Sequence, residues 1–63
     1  MTELRFIFEV GNTRIEGLDD NNEVIDNIQA DWGTIEGYFE IWKKEGVKKI
    51  RTIKQLEEVA GKY

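Results

Sequence analysis

From Leu4 to Val10 the chain alternates: Leu4, Phe6, Phe8 and Val10 fall on one side of an extended segment, and Arg5, Ile7 and Glu9 on the other. That period of two is the pattern of a half-buried strand. Gly11-Asn12 comes next as a two-residue turn with glycine first, which suits a type II′ hairpin. Such a turn predicts a hairpin over residues 4–18 in which Val10 faces Thr13, Glu9 faces Arg14 and Phe8 faces Ile15. Opposite charges then meet on one face and apolar side chains on the other.

The pattern changes after Leu18. Asp19-Asp20-Asn21-Asn22-Glu23 reads as a helix start, with Asp20 as N-cap and Glu23 three residues on, a variant of the capping box that also suits the helix dipole. Val24, Ile25, Ile28 and Trp32 continue at helical spacing and Gly33 ends the segment, so a first helix is expected near residues 21–32. In residues 34–45, Ile35, Tyr38, Phe39 and Trp42 form an apolar stripe, with Thr34 before it and Lys43, Lys44 and Gly46 at its end. These caps predict a helix. The same stretch also supports a strand, because Ile35, Gly37, Phe39 and Ile41 alternate.

Val47-Lys48-Lys49-Ile50-Arg51 suits a short lysine-guarded edge strand or the first turn of the last helix. Thr52 and Gln55 then form a capping box for a C-terminal helix at 53–60, closed by Gly61. The elements add up to one small α+β domain over residues 1–63: an N-terminal antiparallel β-hairpin, short helices, room for a short third strand, and a C-terminal helix. Its expected core is Leu4, Phe6, Phe8, Ile15, Ile28, Phe39, Trp42 and Leu56. Ile7 and Leu18 fall on the other hairpin face, where an uncovered apolar strip makes them candidates for a homodimer contact.

Composition narrows the chemistry. The 63 residues include no Cys, His, Ser or Pro, so disulfides are excluded and a zinc site is disfavoured. The commonest nucleophiles and the usual neutral-pH base are also missing, and so short a chain has little room for a pocket, so a non-enzymatic role is expected. Asp19, Asn21 and Glu23 have the spacing of a calcium loop, but Val24 stands where the loop needs glycine and Ala30 where it needs glutamate. Neither a metal nor a cofactor is therefore expected. No apolar run is long enough to span a bilayer and no signal-peptide pattern opens the chain, which points to a cytoplasmic protein without membrane contact.

Charge is segregated. Residues 1–42 hold two cations against ten carboxylates, net −8, and residues 43–63 hold seven against three, net +4, giving −4 in all. Two surfaces result. Glu16, Asp19, Asp20, Glu23 and Asp26 compose a candidate acidic surface able to imitate a phosphate row and occupy a basic cleft on another protein. Lys43, Lys44, Lys48, Lys49, Arg51 and Lys54 compose a candidate phosphate-contacting patch. Trp42 lies at the border between them and is the candidate interface aromatic. The sequence thus leads to a protein-interaction module, a small acidic regulator or inhibitor of the kind phages and mobile elements encode against host machinery, acting as a homodimer. The alternative is a nucleic-acid-binding accessory protein that uses residues 43–54.

Overall fold

The structure, a computed structural model, describes residues 2–63. Strands β1 (Glu3–Ile7) and β2 (Arg14–Leu18) form the N-terminal antiparallel hairpin, with Ile7 opposite Arg14, Phe6 opposite Ile15 and Arg5 opposite Glu16. This register is displaced by two residues from the expected one. The chain turns over Glu9–Asn12, where the Asn12 N–H donates to the Glu9 carbonyl at 2.9 Å and Gly11 has φ +75°. Glycine is therefore the third residue of the turn, the position at which a type II turn needs positive φ, and not the second residue of a type II′ turn. The Thr13 hydroxyl donates to the same carbonyl at 3.0 Å and closes the loop. Because the displacement is even, no side chain changes face, and the apolar side of the hairpin survives the correction.

The helix expected at 21–32 does not form. Residues Val24–Gln29 are a third strand, β3, paired antiparallel with β2 in a sheet of order β1-β2-β3. The Asp19 carboxylate accepts the N–H groups of Asn21 at 2.9 Å and Glu23 at 3.0 Å, and Asn22 adopts φ +62°. Short acidic and amide side chains that cap helices close hairpin turns by the same bonds, so the acidic run has two meanings. The next six residues decide between them: Val24, Ile25 and Ile28 are β-branched, and Asp26 and Asn27 are poor helix formers. Gly33, expected to stop that helix, lies instead in the first turn of the next.

Helix α1 spans Trp32–Glu45 and starts two residues ahead of the expected 34. Its first bond runs from the Ile35 N–H to the Asp31 carbonyl at 3.1 Å, and the Thr34 hydroxyl donates to the Asp31 carboxylate. The helical reading of 34–45 thus prevails over the strand. At the far end Gly46, with φ +121°, donates its N–H to the Trp42 carbonyl at 3.1 Å and breaks the helix. Residues 47–51 are not an edge strand: the N–H groups of Lys49 and Ile50 fold back on the Gly46 carbonyl at 3.0 and 3.3 Å. Helix α2 occupies Ile53–Ala60 as expected, with the Thr52 hydroxyl accepting the Gln55 N–H at 3.1 Å. The Gln55 side chain accepts the Arg51 N–H at 2.9 Å, one residue earlier than a standard capping box.

Leu4 and Ile15 on one sheet face meet Ile35, Ile50, Ile53 and Leu56 from the helical layer, and this is the core. Of the residues expected there, Leu4, Ile15 and Leu56 are buried, while Phe6, Phe8, Ile28 and Trp42 pack at its margin. Ile50, expected in an edge strand, is turned inward by the Gly46 loop. The layers make a thin slab, 28 × 27 × 15 Å between Cα extremes.

Gly37 lies on the exposed side of α1, and a Cβ built there meets nothing within 4 Å. Gly37→Ala is expected to stabilise the fold by about 1 kcal/mol, raising Tm by roughly 4–8 °C for a domain of this size. Thermal unfolding followed by circular dichroism checks it.

Candidate interaction surface

The β1–β2 loop and the N-terminal half of α1 build one corner of the molecule. The loop carries Phe8 and then Val10, which is 99% exposed at its tip. The helix carries Trp32, Glu36 and Glu40 at four-residue intervals, with Phe39 and Lys43 beside them. Residues so spaced share one flank of a helix. Trp32 is 48% exposed, a large apolar ring in water that the expected first helix would have placed on a buried stripe.

Five rings connect this corner to the interior. Trp42 packs on Phe6 with centroids 4.9 Å apart, Phe6 on Phe39 at 5.1 Å, Phe39 on Phe8 at 5.8 Å, and Phe8 on Trp32 at 5.0 Å. All are tilted or edge-on, the favoured geometry for aromatic pairs. The two indoles at the ends are held differently. Trp42 is half-buried and donates its N–H to the Ile50 carbonyl at 3.0 Å, while Trp32 donates to the Glu36 carboxylate at 3.1 Å in the open. The candidate interface aromatic Trp42 is thus a packing residue, and Trp32 is the ring that reaches solvent. The sequence signal for this is the Asp31-Trp32-Gly33 start of α1, because a residue in a first turn, at the end of the stripe of Ile35, Phe39 and Trp42, has less to pack against.

Phe8, Trp32, Glu36, Phe39 and Glu40 border a cleft of about 210 Å³. A second hollow of about 370 Å³ also reaches Trp32 and lies between the Val10–Thr13 loop and residues 29–31, including Asp31. Three carboxylates, Asp31, Glu36 and Glu40, therefore border apolar concavities. One cation shares the surface: the Lys43 ammonium stands 4.7 Å from the Phe39 ring centroid and 3.2 Å from Glu40 Oε1.

The acidic set read from the sequence loses Glu16 from its surface. Glu16 is withdrawn: it is 8% exposed and bonded to Arg5 Nε at 2.9 Å, Arg5 Nη2 at 2.5 Å and Arg14 Nε at 3.0 Å. Hydrogen bonds from Arg5 first, and from Arg14 second, hold its carboxyl below the ordinary value of 4.5 against the opposing effect of desolvation. Asp19, Asp20 and Glu23 sit in the β2–β3 turn, and Asp26 lies on β3 with its carboxylate accepting the Asn27 N–H at 2.9 Å. The helical spacing that made these residues neighbours is gone.

Members of the basic set make separate contacts of their own. Lys43 lies over Phe39 and Lys44 over Tyr63, 5.5 Å from its centroid, while Arg51 Nε donates to the Lys48 carbonyl at 2.9 Å. Lys48, Lys49 and Lys54 are exposed, and none of the three forms an ion pair among the described residues. Of the two candidate dimer residues, Ile7 is half-buried, and Leu18 is only 3% exposed within the protomer. Leu18 is thus covered within the protomer, not left as an open apolar strip. Among the described residues no group of carboxylates is placed to hold a metal ion, and no helix is long and apolar enough to cross a membrane.

Glu16 yields a pH prediction. Its folded pKa lies below the unfolded one, so its stabilisation is present above the unfolded value and is lost as pH falls through the lowered folded value. Glu16→Gln should be less stable than the parent at neutral pH, and the two unfolding curves should converge as pH drops below about 4.5, the ordinary carboxylate value. Denaturant titrations at a series of pH values measure it, and a constant gap at every pH would contradict it. Comparison with protein families, curated proteins and solved structures gives no match to this chain.

Proposed function

We propose that this chain is a non-enzymatic interaction module that docks on another protein through the aromatic corner around Trp32. The observation that carries this is a half-exposed tryptophan seated on Phe8 and bordered by carboxylates. Tryptophan is over-represented among residues that dominate binding energy, and a ring held in place by packing loses little entropy on docking. The acidic border and the net charge of −4 favour a cationic partner surface. A chain without His, Cys or Ser supports binding over catalysis. Within this class the role is that of a small acidic regulator or inhibitor acting in the cytoplasm, with size and acidity as its support.

Self-association belongs to the same proposal, because so small a core gains from a second subunit. Sedimentation should give the mass of two chains at both low and high salt. A single-chain mass would remove the dimer and leave the Trp32 surface standing.

The docking surface is tested by quantitative affinity capture with three baits: parent, Trp32→Ala and the double variant Lys48→Glu/Lys49→Glu. Trp32→Ala should reduce recovery of the partner at least about tenfold, the effect of losing roughly 1.4 kcal/mol of binding, while the lysine reversal leaves it unchanged. The opposite pattern, with recovery lost only in the lysine reversal, would favour the competing nucleic-acid-linked role of the segment 43–54. Equal recovery with all three baits would remove both surfaces.

A further inference from the structure

On the flank of α1 the protein already seats a cation of its own. The Lys43 ammonium lies over the Phe39 ring and bonds Glu40, a ring and a carboxylate acting together. Nearer the start of the helix a ring and a carboxylate meet again, with no cation recorded against them among the described residues: the Trp32 ring, two turns before Phe39, with Glu36, one turn before Glu40. Trp32 offers the stronger ring, since an indole face attracts cations more than a phenyl face does. Glu36 Oε2 accepts the indole N–H at 3.1 Å, so the ring and the carboxylate are fixed relative to one another before any ligand arrives. Glu40 lies one turn further along the same flank, and the cleft between them is walled by Phe8 and Phe39.

A ligand for this cleft needs a flat cationic head to lie on a ring and donors spread widely enough to reach two carboxylates. A guanidinium has both, whereas an ammonium is a compact, strongly hydrated point charge. Phosphate-bearing ligands are disfavoured by the same two carboxylates. Arg5 and Arg14 of this chain are tied to Glu16, and Arg51 uses its Nε on the Lys48 carbonyl, so a separate partner is the favoured source of the group. We propose that the cleft bounded by Phe8, Trp32, Glu36, Phe39 and Glu40 receives an arginine side chain of a partner protein, its guanidinium stacked on Trp32 and bonded to Glu36 and Glu40. This rests on the reading of the Trp32 corner as the docking surface and specifies what that surface takes.

The two indole N–H resonances of the parent protein, assigned with Trp32→Phe, provide the readout. A capped Gly-Arg-Gly-Arg-Gly peptide should shift the Trp32 signal and leave that of Trp42 in place. Its dissociation constant should be at least about twofold smaller than that of the lysine counterpart, because a planar fork stacks on the ring and bonds both carboxylates where an ammonium is a point charge. Glu36→Gln/Glu40→Gln should weaken arginine-peptide binding roughly tenfold or more, as loss of charged hydrogen bonds does. Both positions are exposed and outside the core, and the unchanged Trp42 signal reports that the variant is folded. Equal shifts from the two peptides, or an arginine shift unaffected by the double variant, overturn the arginine assignment. No shift from either peptide also overturns it. If Trp32→Ala still loses the partner in affinity capture in any of these cases, the docking surface itself stands.

Discussion

Strand β2 is the one element on which every other depends. It alone has a neighbour on each side, and its residues Ile15, Glu16, Gly17 and Leu18 are all buried. Toward the helices, Ile15 is completely enclosed and Gly17 leaves room for Ile53 to approach. Away from the helices the described residues form no third layer, and a carboxylate lies in the middle of the strand. That arrangement is stable because the register places Arg5 directly opposite Glu16 and Arg14 two residues along the same strand. The guanidinium groups satisfy the charge and shield it from water. A sheet with one dry face and one face closed by ion pairs is what allows 63 residues to dispense with a second helical layer.

The aromatic rings extend this economy. The core proper is mostly isoleucine and leucine and is small. Phe6, Phe8, Phe39 and Trp42 add area at its margin, where full burial is unattainable, through ring-on-ring contacts that hold their geometry without being enclosed. Trp42 also fixes the loop after α1, because its indole N–H is bonded to the Ile50 carbonyl and Ile50 points into the core. One side chain thus joins the first helix to the start of the second.

Much of this was legible in the chain. The strand alternation of Leu4–Val10, the stripe of α1 and the Thr52–Gln55 cap are local signals, and tertiary structure reinforces them. The failures share a physical cause. Gly11-Asn12 and Asp19–Glu23 are both sets of residues that fit two turn chemistries, and pairing with β2 selects between them from a distance. Once Asp19–Glu23 became a hairpin turn, the acidic row ceased to be a helix face, and Trp32 moved from the end of one helix to the start of another. The proposed docking corner was therefore missed because a strand was read as a helix. The withdrawal of Glu16 was hidden for a related reason, since a hairpin register two residues away pairs Arg14 with Glu9 instead.

The ring chain has an evolutionary consequence. Phe8 and Phe39 face the cleft and also stand in the series of contacts that leads back to Phe6 and Trp42. A lineage that altered either to escape or acquire a partner would loosen its own fold in the same step. Trp32 terminates the series and, of the other four rings, touches only Phe8. On the proposed docking role, drift in partner preference should therefore concentrate at position 32 and at the carboxylates beside it, leaving the phenylalanines behind as a constant floor.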